Sequence, residues 1–162
     1  MVKKVNILSE EEKILSILEK VYDPEVPVLS VPDLGIIRKI DFENGSPVIT
    51  VTTTYSGCPA TEVINNDIRM AFLEHGYNNI IIKNQLSPPW TTEWMSEAGK
   101  RKLKEYGIAP PDKKFSVPKD GIECPRCNSI NTTLISEFGS TACKALYRCN
   151  DCKEPFDYFK CH

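Results

Sequence analysis

The sequence predicts an α+β fold in two parts: a small mixed sheet packed by helices, then a small domain of short antiparallel strands. Apolar residues recur at helical spacing in the first part of the chain, and runs of β-branched residues lie between those segments. Near the end of the 162-residue chain, two Cys-x-x-Cys pairs flank a stretch with the pattern of a hairpin. These observations place a first domain at residues 1–106, a linker at 107–121 and a second domain at 122–162.

The first predicted helix begins after Ser9. Ser9 can cap it, Glu12 stands at the capping-box position, and apolar residues from Ile14 to Val21 form one face. We expect the helix to end before Asp23-Pro24, because a proline disfavours helical geometry in the residue before it. Residues 23–32 then contain three prolines and form a loop, which is either ordered or disordered.

Two strands are predicted next, at Leu34–Asp41 and Val48–Tyr55. The Asn44-Gly45 pair between them is the signal of a tight hairpin, so these strands should be antiparallel. A helix follows over residues 59–74, with Gly76 as its C-cap, and leads to a short strand over residues 79–83. A strand–helix–strand unit of this kind makes the third strand parallel to the second.

A last helix over residues 92–106 completes the first domain. In the second domain, Cys124-Pro-Arg-Cys127 and Cys149-Asn-Asp-Cys152 each offer two sulfurs on one side of a backbone turn. Four thiolates with no open position make a structural zinc site, so this domain is predicted to be a zinc ribbon. Two disulfides or four free thiols are the alternative. The predicted ribbon strands lie at residues 132–138, 143–148 and 155–160.

Composition and charge limit the classes of function. The formal net charge of −2 provides no long-range attraction to nucleic acid or to an acidic membrane surface. Residues 119–160 carry six Lys/Arg and six Asp/Glu, which is a poor footprint for phosphate contacts by the ribbon. No apolar run is long enough to span a bilayer, and the first residues lack the apolar stretch of a signal peptide. With paired cysteines, this pattern indicates metal binding in a reducing cytoplasm.

Cys58 is the most interesting thiol outside the ribbon. Pro59 suits the first position of a helix, so Cys58 is predicted to be the N-cap, facing unpaired N–H groups and the positive end of the helix dipole. Such a position lowers the pKa of a thiol and makes it a better nucleophile and metal ligand. The alternative is a small buried cysteine that fills a gap at a strand–helix turn, and both interpretations remain open.

Two carboxylates, Asp23 and Glu25, flank Pro24 in the first loop. A pair of this kind can hold a cation, although an aspartate that ends a helix more often makes a local turn. Nothing in the spacing shows that this loop approaches Cys58. Cys143, Cys161 and His162 are further potential ligands, but their spacing matches no second site.

Several segments resemble known families. Three of them are similar to motifs of the MIP18 (DUF59) family of iron–sulfur assembly factors, over roughly residues 10–106: Asp23-Pro-Glu-Val-Pro-Val28 with Asp33-Leu-Gly35, Thr54-x-x-x-Cys58-Pro59, and Pro89-Trp90-x-x-x-Trp94-Met-Ser96. The tail, from Cys124 through Phe138-Gly-Ser-Thr-Ala-Cys143 to Cys161, resembles the PaaD (PaaJ) family, which belongs to the phenylacetyl-CoA ring 1,2-epoxidase system of aerobic phenylacetate degradation.

The resemblance implies an accessory, non-enzymatic role. Cys58 would be a reactive or transient ligand for iron or an iron–sulfur cluster, with Asp23, Glu25 and Thr54 shaping its surroundings, beside a structural Zn²⁺ at the ribbon cysteines. The implied partners are the di-iron oxygenase and the iron–sulfur reductase of the epoxidase system, one or both, and general iron–sulfur assembly proteins. A stoichiometric structural subunit of the epoxidase is the alternative.

Overall fold

A computed structural model describes residues 9–111 and 121–160 of the chain. In these residues the elements follow one another in this order: α1 Glu10–Leu18, β1 Ile37–Glu43, β2 Ser46–Val51, α2 Ala60–Glu74, β3 Ile81–Asn84, a 3-10 turn Thr92–Trp94, α3 Glu97–Tyr106, β4 Ile108–Ala109, β5 Thr132–Ser136, β6 Lys144–Cys149 and β7 Pro155–Phe159. The predicted α+β class is confirmed.

The first sheet has the order β1-β2-β3. Strands β1 and β2 are antiparallel, and β2 and β3 are parallel, as predicted. Asn44 and Gly45 join the first pair with φ angles of 50° and 80°, the left-handed conformations that a two-residue type I′ hairpin requires.

Helices α1 and α2 pack on this sheet. The predicted capping box is present, since the Ser9 side chain accepts a bond from the Glu12 N–H and the Glu12 carboxylate accepts one from the Ser9 N–H. Ile14 of α1 and Phe72 of α2 are fully buried in one core together with Ile49 of β2. This core supports the loops that follow β2.

Several elements differ from prediction. Strand β1 spans Ile37–Glu43 rather than Leu34–Asp41, and β5 ends at Ser136 rather than at residue 138. Strand β2 ends at Val51 rather than Tyr55, although one more bond to the β1 side follows it, from the Thr52 N–H to the Ile36 carbonyl (2.8 Å). The last predicted helix is interrupted: Met95 and Ser96 are extended, and the Ser96 side chain caps α3 by accepting a bond from the Gly99 N–H (2.8 Å).

The second sheet has the order β4-β7-β6-β5, and β5, β6 and β7 are antiparallel as predicted. Strand β4 lies inside the predicted linker and pairs with β7 in parallel, which the prediction of purely antiparallel strands missed. The rest of that linker, residues 112–120, lies outside the described residues.

Part of the ribbon belongs to the core of the first domain, while Cys124, Tyr147 and Phe156 belong to a second, smaller cluster. Phe159 and Cys143 of the ribbon and Ile108 of β4 belong to the same buried cluster as the residues of α1 and α2. The indole of Trp90 meets the Phe159 ring edge to face, with centroids 6.0 Å apart, and its N–H donates to the Leu34 carbonyl (2.9 Å). None of the helices in the described part of the chain is both long and apolar enough to cross a membrane.

Candidate metal centre and thiol site

The four cysteines of the ribbon converge on one point. Their sulfurs all lie within 4.8 Å of one another, and the closest cross-pairs are Cys127 with Cys149 at 3.5 Å and Cys124 with Cys152 at 3.8 Å. A tetrahedral zinc ion with bonds of about 2.3 Å places its sulfurs about 3.8 Å apart. The donor set and its dimensions therefore fit a structural zinc ion.

Local backbone geometry explains this convergence. In each knuckle the residue after the second cysteine is left-handed: Asn128 has φ 61° and Lys153 has φ 70°. That conformation folds the chain back, so the Asn128 N–H bonds the Cys124 carbonyl and the Cys149 N–H bonds the Glu154 carbonyl. Each pair of sulfurs is thus presented on the same side of its turn.

The electrostatics of the ribbon site favour a thiolate at Cys149. Backbone N–H groups of Cys152 and Asp151 donate to its sulfur and hold the pKa of Cys149 at about 7, although burial opposes this. A thiol with such a pKa releases its proton readily to a metal ion.

The second candidate site surrounds Cys58. Gly57, with φ 76°, reverses the chain after β2, and the Cys58 N–H reaches back to the Tyr55 carbonyl (3.4 Å). The N-cap of α2 is Pro59 rather than the predicted Cys58, and no side chain caps the helix. Cys58 stands one residue earlier and is partly buried, with its side chain packed against the core of the first domain.

Three of the residues implied by the resemblance lie together. Asp23, Thr54 and Cys58 line one pocket beside β2. The loop after α1 is ordered, because the Asp23 carboxylate accepts bonds from the N–H groups of Glu25 (2.7 Å) and Val26 (3.0 Å). Burial of this carboxyl raises the pKa of Asp23 despite those bonds. Asp23 therefore makes a local turn and also lines the pocket that contains Cys58.

Glu25 lies beside this pocket and faces the ribbon. Its carboxylate oxygen Oε2 is 3.7 Å from the Cys143 sulfur, and its carbonyl accepts a bond from the Lys144 ammonium (3.1 Å). Burial, a hydrogen bond with Cys58 and the nearby Glu25 and Cys143 groups raise the pKa of Tyr55.

Sequence reasoning missed Tyr55 and Lys144 and gave Cys143 no role. Tyr55 lies within the cysteine motif, three residues before Cys58, so its position near this thiol could have been predicted from the sequence. The ribbon residues lie 118 and 119 positions from Glu25, and no local pattern reports a contact over that separation.

Comparison with known proteins adds to this geometry. Residues 11–74 match the family described as iron–sulfur cluster assembly protein, and residues 109–160 match the PaaD zinc beta ribbon domain. The chain is also 50% identical over 152 residues to a putative subunit of the 1,2-phenylacetyl-CoA epoxidase of Escherichia coli, with 92% of each chain covered. The chain belongs to the PaaD family.

Other relatives of this PaaD-family chain match its first domain. An Fe-S protein maturation auxiliary factor of Porphyromonas gingivalis is 39% identical over 92 residues, which is 56% of this chain and 87% of that protein. The crystal structure of a DUF59 domain from Bacillus anthracis superposes with a TM-score of 0.53 at 33% identity, covering 57% of this chain and 90% of that one. The predicted MIP18 (DUF59) resemblance is confirmed, and so is the predicted zinc ribbon.

Proposed function

We propose that this protein is a maturation factor for the metal centres of the phenylacetyl-CoA ring 1,2-epoxidase system, and that it has no catalytic turnover of its own. Iron, alone or in an iron–sulfur cluster, is its cargo. The cargo is held transiently at Cys58 and passed to the oxygenase or the reductase. The ribbon zinc, held by Cys124, Cys127, Cys149 and Cys152, is structural.

One observation carries this proposal: a partly buried thiol lines a pocket together with a carboxylate and hydroxyl groups, on a domain of the iron–sulfur assembly family. Thiolates favour iron and zinc, and a single anchoring sulfur leaves the metal exchangeable. The four cysteines of the ribbon leave no open coordination position, so that site would instead retain its metal ion. Both sets of thiols need a reducing compartment, so we place the protein in the cytoplasm.

The name of the Escherichia coli relative favours a second candidate function, that of a stoichiometric epoxidase subunit without metal-transfer activity. The two functions differ in when the protein is needed. A maturation factor is required while metals are installed, whereas a subunit is required at every turnover.

The test expresses the epoxidase components with this protein, without it, and with Cys58→Ala. Loss of the thiol should leave the oxygenase and the reductase soluble but deficient in iron or acid-labile sulfide, because the cargo has lost its anchor. The variant itself should be destabilised by only about 1 kcal/mol. Ser56→Ala, an exposed change in the same loop, is the matched control and should preserve the metal content.

The second half of the test uses components that already contain their metals. Turnover that proceeds without this protein agrees with a maturation factor. A persistent requirement for it with fully metallated components would establish the structural role instead, and normal metal content with Cys58→Ala would remove Cys58 from the mechanism.

A further inference from the structure

Lys144 is a buried cation where the ribbon meets the first domain. It is the first residue of β6 and is only 6% exposed. Its ammonium donates to the backbone carbonyl of Glu25 (3.1 Å) and lies 3.2 Å from the Ser140 hydroxyl oxygen. Asp23, which lines the pocket with Cys58, is the only other Asp, Glu, Lys, Arg or His that is buried in the described part of the chain.

Further hydrogen bonds hold the two sides of this contact in place. On the ribbon side, the backbone of Lys144 pairs with that of Phe159 in β7. On the other side, the Asp23 carboxylate accepts bonds from the N–H groups of Glu25 (2.7 Å) and Val26 (3.0 Å), which fold this loop into a turn. The Glu25 backbone is therefore bonded through its N–H to Asp23 and through its carbonyl to Lys144.

Packing alone gives no reason for a lysine at position 144. An ammonium group loses its hydration when it is buried, and the two acceptors here, a carbonyl and a hydroxyl, are uncharged. An unbranched apolar side chain such as methionine would fill the space without that cost. The charge also acts on the loop: burial raises the pKa of Asp23, while the N–H bonds from Glu25 and Val26 and the attraction of the Lys144 ammonium oppose that rise.

We propose that Lys144 is a positioning residue for the thiol site. Its bond to the Glu25 carbonyl fastens the loop that places the Asp23 carboxyl in the pocket lined by Cys58. Lys144 acts through that loop and is not a ligand of the cargo. This proposal rests on the proposed function and deepens it, because the handling of the cargo then depends on the ribbon.

This arrangement gives the zinc site of the ribbon a second role. Strand β6 begins at Lys144 and ends at Cys149, one of the four cysteines of that site, so the metal ligand and the anchor lie on the same strand. Metal binding supplies much of the folding free energy of a small ribbon. Loss of zinc would therefore release Lys144 and, with it, the loop that contains Asp23.

The test compares Lys144→Met and Lys144→Arg with the parent, each as a full-length, zinc-loaded protein. Methionine removes the ammonium and keeps an unbranched apolar side chain, whereas arginine restores a charged donor. In Lys144→Met, hydrogen exchange followed by NMR should show the N–H groups of Glu25 and Val26 exchanging about tenfold faster, because the loop loses a bond from a charged donor. Amides of the buried strand β2 should exchange at the parent rate, and Lys144→Arg should restore the protection of the loop.

A second measurement follows the cargo. Iron and acid-labile sulfide are determined in epoxidase components that are coexpressed with each variant, and Lys144→Met should lower both, as Cys58→Ala does. Lys144→Arg should restore them. Lys160→Met is the matched control, because the Lys160 ammonium bonds the Glu137 carbonyl within the ribbon itself. That change should alter neither the exchange of the loop nor the metal content.

The outcomes separate this proposal from the proposed function. Unchanged protection of the loop in Lys144→Met overturns the positioning role, and so does a released loop with normal metal content; a deficit with Cys58→Ala would still support the proposed function. Normal metal content with Cys58→Ala refutes both. If Lys144→Met unfolds or loses zinc, native-state exchange of the unmodified protein in rising urea decides. Amides of Glu25 and Val26 that open together with those of β6 support the anchor, and amides that open at lower urea overturn it.

Discussion

At the scale of single residues, Asp33 connects three segments around the first domain. Its carboxylate accepts a bond from the Ser96 hydroxyl (2.6 Å) and pairs with Lys102, and its carbonyl accepts one from the Ser96 N–H (2.9 Å). Burial alone would raise the pKa of Asp33, but hydrogen bonds from Lys102, Ser96 and Ser30 outweigh it and leave this pKa below the ordinary value of 3.8.

Asp33→Asn should therefore lower the free energy of unfolding at pH 7 by roughly 1–2 kcal/mol, since bonds to a charged group are lost. A carboxyl with a lowered folded pKa stabilises the protein fully above its unfolded pKa and loses that contribution as the pH falls through the folded value. The deficit of the variant should thus be largest at neutral pH and shrink below about pH 4.

Urea denaturation of both proteins in parallel, from pH 7 to pH 3, measures this deficit. Release of zinc in acid affects parent and variant alike and cancels in the difference. A deficit that stays constant across the titration would mean that Asp33 acts by shape rather than by charge.

At the scale of elements, the segment of residues 90–96 packs against the start of β1. The Arg38 guanidinium lies 3.5 Å above the Trp94 ring, and the Trp94 carbonyl approaches Gly35. A Cβ at Gly35 would lie 2.1 Å from that carbonyl oxygen, and its φ of 73° is left-handed. Only glycine, which has no Cβ, avoids the clash with this carbonyl oxygen and also adopts a left-handed φ without strain.

Gly35→Ala should destabilise the protein on the order of 4 kcal/mol, because it adds a backbone clash to conformational strain. Gly45→Ala is the matched control, since Gly45 also has a positive φ, at 80°, but nothing lies within 4 Å of its added Cβ. That change should cost only about 1–2 kcal/mol. Thermal or urea denaturation measures the stability of both variants. An equal loss of stability in the two would show that the Trp94 carbonyl does not exclude a Cβ at Gly35.

At the scale of the whole molecule, zinc binding and the first domain are coupled through the shared core. The sequence alone predicts that metal loss unfolds residues 122–162 and leaves the first domain intact. The structure changes this expectation, because Phe159 covers Trp90 and the Lys104 ammonium pairs with the Glu123 carboxylate (2.7 Å). An unfolded ribbon would uncover apolar surface on its neighbour.

Cys149→Ser should therefore abolish stoichiometric zinc and also lower the melting temperature of the first domain. Metal binding supplies on the order of 10 kcal/mol to a ribbon of this kind, so its loss should unfold β5 to β7. Trp90, 3% exposed, should then become accessible, which a red shift of tryptophan fluorescence and faster quenching would report. Cys58→Ala is the control and should retain zinc and an unchanged spectrum. An unshifted spectrum after verified zinc loss would show that the two domains are independent.

Local signals in the sequence determined much of this protein. The capping box at Ser9, the Asn44-Gly45 hairpin and the two Cys-x-x-Cys knuckles are each complete within a few residues, so their hydrogen bonds can be predicted from spacing. The strand–helix–strand crossover follows equally from the order of elements.

The tertiary structure alone decided how the two domains meet. Whether Asp23 approaches Cys58, whether β4 joins β7 and where Cys143 is buried depend on which apolar surfaces exclude water together. That driving force is non-directional and acts between residues more than 100 positions apart, so it leaves no periodic trace in the chain. Glu25 meets Cys143 because Cys143 is buried in the core of the first domain, and no motif at either position predicts that contact.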